Sequence, residues 1–168
     1  VADELERLHR ELALDVVEFP ECFAEGFTAL RRRAAGLGLD DLAMCVHLHT
    51  PIREHTELNL GRTWEPWYRR RVELEEYGIR AADRLSSPSR SLADLVADRL
   101  RLDPARHPCD VIPYAMDFDE ANPGNGAKPA AAPSLLFVGR LEPRKGVVDL
   151  VDAAVEVMRE QPTLAVHL

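Results

Sequence analysis

The sequence predicts an α/β fold built on parallel strands, and three observations carry that prediction. Short apolar runs rich in β-branched residues alternate with stretches whose apolar residues recur at helical spacing, the order expected of βαβ units. The run Leu135-Leu136-Phe137-Val138 is apolar at consecutive positions, as in a central strand covered by helices on both faces. The 168 residues are 46% hydrophobic and 30% charged, a composition that builds a core and does not describe a disordered tail.

Strands are expected at 15–19, 43–49, 84–87, 110–114, 135–139 and 163–167. The first helix places Phe23, Phe27, Leu30, Ala34 and Leu37 on one stripe and leaves Arg31, Arg32 and Arg33 mostly in water. A second covers about 67–82, with an ambiguous apolar phase. A third starts at Ser89 or Ser91, either of which can cap free backbone N–H groups, and buries Leu92, Leu95, Val96 and Leu100. The clearest helix runs over 146–160, where Val147, Leu150, Val151, Ala154, Val155 and Met158 line one face and Pro162 follows as a stop.

Between 115 and 133 the pattern lapses into Asn122-Pro123-Gly124-Asn125-Gly126 and Lys128-Pro129-Ala130-Ala131-Ala132-Pro133, the composition of a linker. The expected division is therefore 1–114, a linker over 115–133, and the start of a second domain over 134–168. Two strands cannot bury both faces of a sheet by themselves. The chain also begins at Val1 without an initiator Met and stops within an apparent strand, so a piece of a longer protein is expected.

Charge excludes some functions. With 21 Lys+Arg against 29 Asp+Glu the formal charge is −8, which argues against an electrostatic grip on nucleic acid or on an anionic membrane. Cys22, Cys45 and Cys109 are far apart, with no C-x-x-C pair, and read as buried free thiols. No apolar run approaches about 18–20 residues and no signal-peptide pattern opens the chain, so the expected location is the cytoplasm.

The most informative stretch is Leu135 through Gly146, a strand leading through the basic turn Arg140-Leu141-Glu142-Pro143-Arg144-Lys145 into an amphipathic helix. Ligands of open α/β sheets collect at the carboxyl ends of strands, beside helix N-termini that favour anions. Arg140 can fork onto two phosphate oxygens and Lys145 adds a point charge. Spacing alone allows two readings, an anion socket or a solvated turn. Neither G-x-G-x-x-G nor a G-x-x-x-x-G-K-[ST] loop occurs.

Val138-Gly139-Arg140-Leu141 followed by Pro143-Arg144-Lys145-Gly146 resembles the hinge-proximal motif of retaining glycosyltransferases of the GT-B type, the family-4 group. Val111-Ile112-Pro113-Tyr114-Ala115-Met116-Asp117 is similar to that group's V-I-P-N-G-V-D stretch, with Tyr114-Ala115 in place of Asn-Gly. Glu18-Phe19-Pro20-Glu21, Ala24-Glu25-Gly26, His47-Leu48-His49-Thr50-Pro51 and Ser87-Pro88-Ser89 also resemble first-domain segments. The resemblance implies two Rossmann-like domains facing a cleft, with 1–114 on the acceptor side and 134–168 opening the nucleotide-sugar domain.

It further implies transfer of a sugar from a nucleoside-diphosphate donor to an acceptor hydroxyl, with retention at the anomeric carbon. Gly139, Arg140 and Lys145 would hold the donor diphosphate, and His49 would be the cleft histidine that hydrogen-bonds the reacting sugar. For His49 a capping or core role stands beside the catalytic one. No cofactor and no metal are expected, because two fixed cations and a helix N-terminus can stabilise a departing diphosphate. The family's N-terminal glycine-rich loop and its later pair of glutamates are not in the sequence, so this piece alone is expected to be inactive or nearly so. An epimerase or phosphorylase of the same fold, or a non-catalytic α/β binding domain, are the alternatives.

Three other patterns have blander explanations. His47-x-His49 with His55 nearby has metal-like spacing, but no Asp, Glu or Cys in the immediate run completes a ligand set. Asp117-Phe118-Asp119 sits at the mouth of the linker and reads as a turn. Trp64, Trp67 and Tyr68 among Arg62, Arg69, Arg70 and Arg71 read as a packed helix face with a basic rim. Glu25 and Arg90, at helix openings, are weaker candidates and are not assigned a catalytic role.

Overall fold

The computed structural model describes residues 1–61, 63–115 and 133–168. The chain divides into two compact units, one formed by Val1–Glu57 with Arg62–Ala115, the other by Leu58–Gly61 with Met116–Leu168. Most of the expected linker, 116–132, lies outside the described residues, as do Asp117-Phe118-Asp119 and Arg62.

In the first unit, β1 (Val16–Pro20), β2 (Ala43–His47), β3 (Arg84–Ser87) and β4 (Cys109–Val111) form a parallel sheet in the order β1-β2-β3-β4. Helices α1 (Ala2–Leu12), α2 (Phe27–Ala34), α3 (Ile52–Leu58), α4 (Pro66–Ala81) and α5 (Arg90–Leu100) surround and connect the strands. This is the α/β class read from the alternation, a Rossmann-like parallel sheet. Strand alternation sets the core: Met44 and Val46 on β2 are fully buried, while Cys45 and His47 on its other face are half-buried. Leu30, Leu42, Leu48, Ile79, Leu85 and Val96 complete the same apolar cluster.

The register is set by pairs such as Pro20 with His47 and His47 with Ser86. Because all four strands run the same way, the chain leaves every one of them at the same edge, and the segments that follow gather there. At the opposite edge Arg33 staples three elements. Its guanidinium donates to Asp83 Oδ2 at 2.5 Å, to the Leu42 carbonyl and to the Ala81 carbonyl. Asp83 also accepts from the Met44 N–H. Burial pushes the Asp83 carboxyl up, but Arg33 and the Met44 N–H outweigh it and hold the group below the usual carboxylate range.

Several expectations need correction. The predicted stripe from Phe23 to Leu37 is broken: Phe23 falls in a 3₁₀ turn, Cys22–Ala24, at φ 60°, and Phe23, Ala34 and Leu37 are exposed. Helical spacing in the sequence continued across a turn that resets the phase. Arg33 is tied down as described, and Arg32 pairs with Asp3 and Glu6, so only Arg31 of the three faces water. Leu95 is exposed on α5. The three cysteines are free but half-buried. Ser89 proves to be the α5 cap, its Oγ accepting from the Leu92 N–H at 3.2 Å.

The second unit holds β5 (Ser134–Leu136) paired in parallel with β6 (Ala165–His167), a 3₁₀ turn at Pro143–Lys145, and α6 (Val147–Glu160). Leu136 and Val138 are exposed, so among the described residues the expected cover on both faces of this strand is not present. Gly146 links the turn to α6 at φ 71°, a left-handed conformation that favours glycine. Among the described residues no helix is long and apolar enough to cross a membrane.

Gly26 shows how tightly β1 meets α2. A Cβ built on it would lie 2.8 Å from Phe19 Cδ2, and Phe19 is buried. Gly26→Ala is therefore expected to destabilise the protein by about 1–3 kcal/mol through overpacking, read as a lower midpoint in urea unfolding.

Candidate active site

The carboxyl edge of the four-stranded sheet gathers polar side chains from segments far apart in sequence. Glu21 follows β1 directly, and its side chain has no exposed surface. Its Oε1 accepts from the Thr50 N–H at 2.7 Å, and its Oε2 lies 3.1 Å from His49 Nδ1. A carboxylate only accepts, so Nδ1 carries a proton, and in the neutral form of the ring Nε2 then presents a lone pair. The His49 side chain is 44% exposed: its position is fixed from behind while its outer edge is open to a ligand.

A second relay runs across three strands. Ser86 Oγ donates to Glu18 Oε2 at 3.2 Å and lies 2.7 Å from His47 Nδ1. His47 then stacks edge-on against His49, with ring centroids 4.6 Å apart. Tyr114, beyond β4, closes the aromatic group with its ring centroid 6.0 Å from His47 and 6.3 Å from His49. The alternation expected to turn His47 and His49 to one side is met in this ring contact. His55 lies within α3.

Glu75, on α4, is the second buried carboxylate here. Its Oε1 accepts from the Phe23 N–H at 3.1 Å and its Oε2 from the Ile52 N–H at 2.7 Å. Burial, helped by the negative charge of Glu21, pushes its pKa up to about 7 against the stabilising pull of those two N–H groups and of Arg71. Phe23, held in a left-handed conformation by that contact, presents its exposed ring to Arg71, whose guanidinium lies 4.4 Å from the ring centroid. Trp64 and Trp67 are exposed while Tyr68 is buried, so the aromatic cluster read as a packed face is packed only at Tyr68.

Sequence reasoning reached His49 but missed Glu21 and Glu75 as its surroundings. Their roles depend on partners 28 and 52 residues away. The one local signal is a carboxylate placed immediately after a strand in a parallel fold.

In the second unit, Gly139, Arg140 and Lys145 lie on the exposed surface between β5 and α6. Arg140 is not unpaired: its Nε contacts Glu142 Oε1 at 2.9 Å, and Arg144 Nε contacts Glu142 Oε2 at 2.8 Å. The Arg144 hydrogen bond and the Arg140 charge hold Glu142 below the usual carboxylate range. Three cations against one carboxylate leave this turn with a formal charge of +2, and Arg140 remains two-thirds exposed.

Comparison with known proteins gives two relatives. The chain is 33% identical over 131 residues to a D-inositol 3-phosphate glycosyltransferase of Kineococcus radiotolerans, covering 73% of this chain and 29% of that protein. It is 32% identical over 118 residues to a protein of the same name from Geodermatophilus obscurus, covering 66% of this chain and 25% of that one. The chain therefore spans less than a third of the length of these relatives. No family profile matches it. The likeness first seen in the motifs is thus borne out by relatives that carry the glycosyltransferase name.

The Glu75 carboxyl makes stability depend on pH in a defined direction. Its ordinary value is 4.5 and its value in the fold about 7, so between these limits the folded protein binds a proton that the unfolded chain has released. Stability contributed at this position is full below 4.5 and is lost as pH rises to about 7. Glu75→Gln removes that slope. Urea unfolding of parent and variant across the window is expected to show their stability difference changing by about 3 kcal/mol in the variant's favour.

Proposed function

From the premise that the chain is a relative of the GT-B glycosyltransferases, we propose that its complete gene product moves a sugar from a nucleoside-diphosphate donor to an acceptor hydroxyl. Residues 1–114 form the acceptor side and residues 134–168 open the nucleotide-sugar domain. The single observation that carries this reading is the alignment with two glycosyltransferases over 73% and 66% of the chain.

The residues supply a physical account. Breaking the bond between sugar and phosphate leaves charge on the diphosphate. Arg140 and Lys145, beside the N-terminus of α6, provide fixed positive charge where it develops. Glu142 holds Arg140 by its Nε, which pre-orients the guanidinium before a phosphate arrives. His49, anchored by Glu21, offers Nε2 as a hydrogen-bond acceptor for a hydroxyl of the reacting sugar.

Retention of configuration follows from a front-face route in which the departing phosphate takes the acceptor proton. Two features support it: Glu21 and Glu75, the buried carboxylates nearest His49 at this sheet edge, are occupied by backbone N–H groups, and the exposed Glu18 is engaged by the Ser86 hydroxyl. The relatives are named for D-inositol 3-phosphate, which makes a phosphorylated cyclitol the first acceptor to test. A cytoplasmic setting is part of the same reading, since three unbridged thiols suit a reducing compartment.

In the complete gene product, Arg140→Ala is expected to weaken binding of the nucleotide-sugar donor by about 10- to 100-fold, the loss of one charge-assisted hydrogen bond. Isothermal titration with a panel of nucleoside-diphosphate sugars reads the affinity, and a coupled assay for released nucleoside diphosphate reads turnover. Affinity and turnover both unchanged from the parent would remove Arg140 from the donor site.

A further inference from the structure

We propose that Glu21, Cys22 and His49 form a binding site for a thiophilic divalent cation of the Zn²⁺ class. Its place is the carboxyl edge of the first unit's sheet, where the chain leaves β1 and β2. The inference stands apart from sugar transfer and does not depend on it.

The fold brings three potential ligand atoms to one place. One ligand atom from each of the three residues lies within 4.8 Å of the other two, although His49 is 27 positions beyond Cys22 in the chain. The 3.1 Å between His49 Nδ1 and Glu21 Oε2 is close to the edge of about 3.3 Å that two ligands make in a tetrahedral zinc site with bonds of about 2.0–2.1 Å. A thiolate, an imidazole and a carboxylate are the donor types zinc takes, and three protein ligands leave its fourth position open.

Glu21 is fixed independently of any ion. Its side chain is fully buried, and the oxygen not facing His49 accepts the Thr50 N–H, the outer-sphere bond that orients a ligating carboxylate. His49 is steadied by the His47 ring, which is itself held by Ser86. Cys22 lies on the short 3₁₀ turn and is half-buried, so a rotation of its side chain brings Sγ in from the far corner.

The local field favours a cation as well. Glu21, Glu25 and Glu75 all place negative charge toward Cys22. When the ion binds, the S–H bond breaks, its proton passes to solvent, and the thiolate and Glu21 together balance the two positive charges. When His49 Nδ1 takes the metal, its ring proton moves to Nε2 and the hydrogen bond to Glu21 gives way to shared coordination of the ion. In an enzyme that uses His49 on a sugar hydroxyl, the ion and the sugar would compete for the ring.

The run around the H-x-H spacing completes no ligand set of its own, and the fold adds a carboxylate and a thiol from the end of the neighbouring strand.

The test uses Co²⁺ as a spectroscopic substitute for Zn²⁺, added to the reduced protein under anaerobic conditions. The expected result is one ion per chain with a sulfur-to-cobalt charge-transfer band in the near ultraviolet, lost on adding Zn²⁺. Cys22→Ser should abolish the band, Cys45→Ser should leave it intact, and His49→Gln should weaken Co²⁺ binding by more than about tenfold. Circular dichroism of each metal-free variant verifies its fold; Cys22 and His49 are partly exposed, so both substitutions are tolerable. Absence of the band, its survival in Cys22→Ser, or parental affinity in His49→Gln would each overturn the assignment.

Discussion

Two buried carboxylates organise the functional edge of the first unit. A parallel sheet sends every strand into a loop at the same end, and each loop arrives with backbone N–H groups that the ladder does not satisfy. Glu21 and Glu75 take up three of them, at Thr50, Phe23 and Ile52. The arrangement is electrostatically expensive, because each side chain has lost its water and Glu75 also feels the charge of Glu21. It persists because removing either partner would strand buried donors. The left-handed backbone at Phe23 and Ala24 is held by this clamp, since an isolated turn would relax it.

How much of this was legible in the sequence depends on the range of the interaction. Alternation of apolar runs gave the parallel α/β class, and β3 matched residue for residue because Arg84 to Ser87 is bounded by Asp83 and Pro88. Ser89 was readable as a cap because capping is a local bond between a side chain and the N–H three residues on. Periodicity failed between Phe23 and Leu37, where a 3₁₀ turn and Gly26 interrupt an apparently continuous helix. The short helix α3 carries too few apolar positions to announce itself, and α1 shows its face only through Ala2 and Leu5.

The candidate site divides along the same line. His49 was reachable from its neighbours in sequence, whereas the carboxylate that orients it was not. Arg33 looked like one of three solvated arginines, yet it joins the end of α2 to β2 and to the close of α4. The Arg140 and Lys145 turn was visible because it is compact in sequence. Its pairing with Glu142 was foreseeable from the same six residues, since a carboxylate two positions from each arginine has little choice of partner.

The simple order of the sheet has a consequence for how the first unit is made. Each of the four described strands lies beside the one synthesised immediately before it, so these four can be laid down in sequence as the chain emerges from the ribosome, none of them threaded between the others. Assembly is then vectorial. The hydrogen-bonding border of β2 that accepts β3 is exposed only for the time needed to translate α3 and α4.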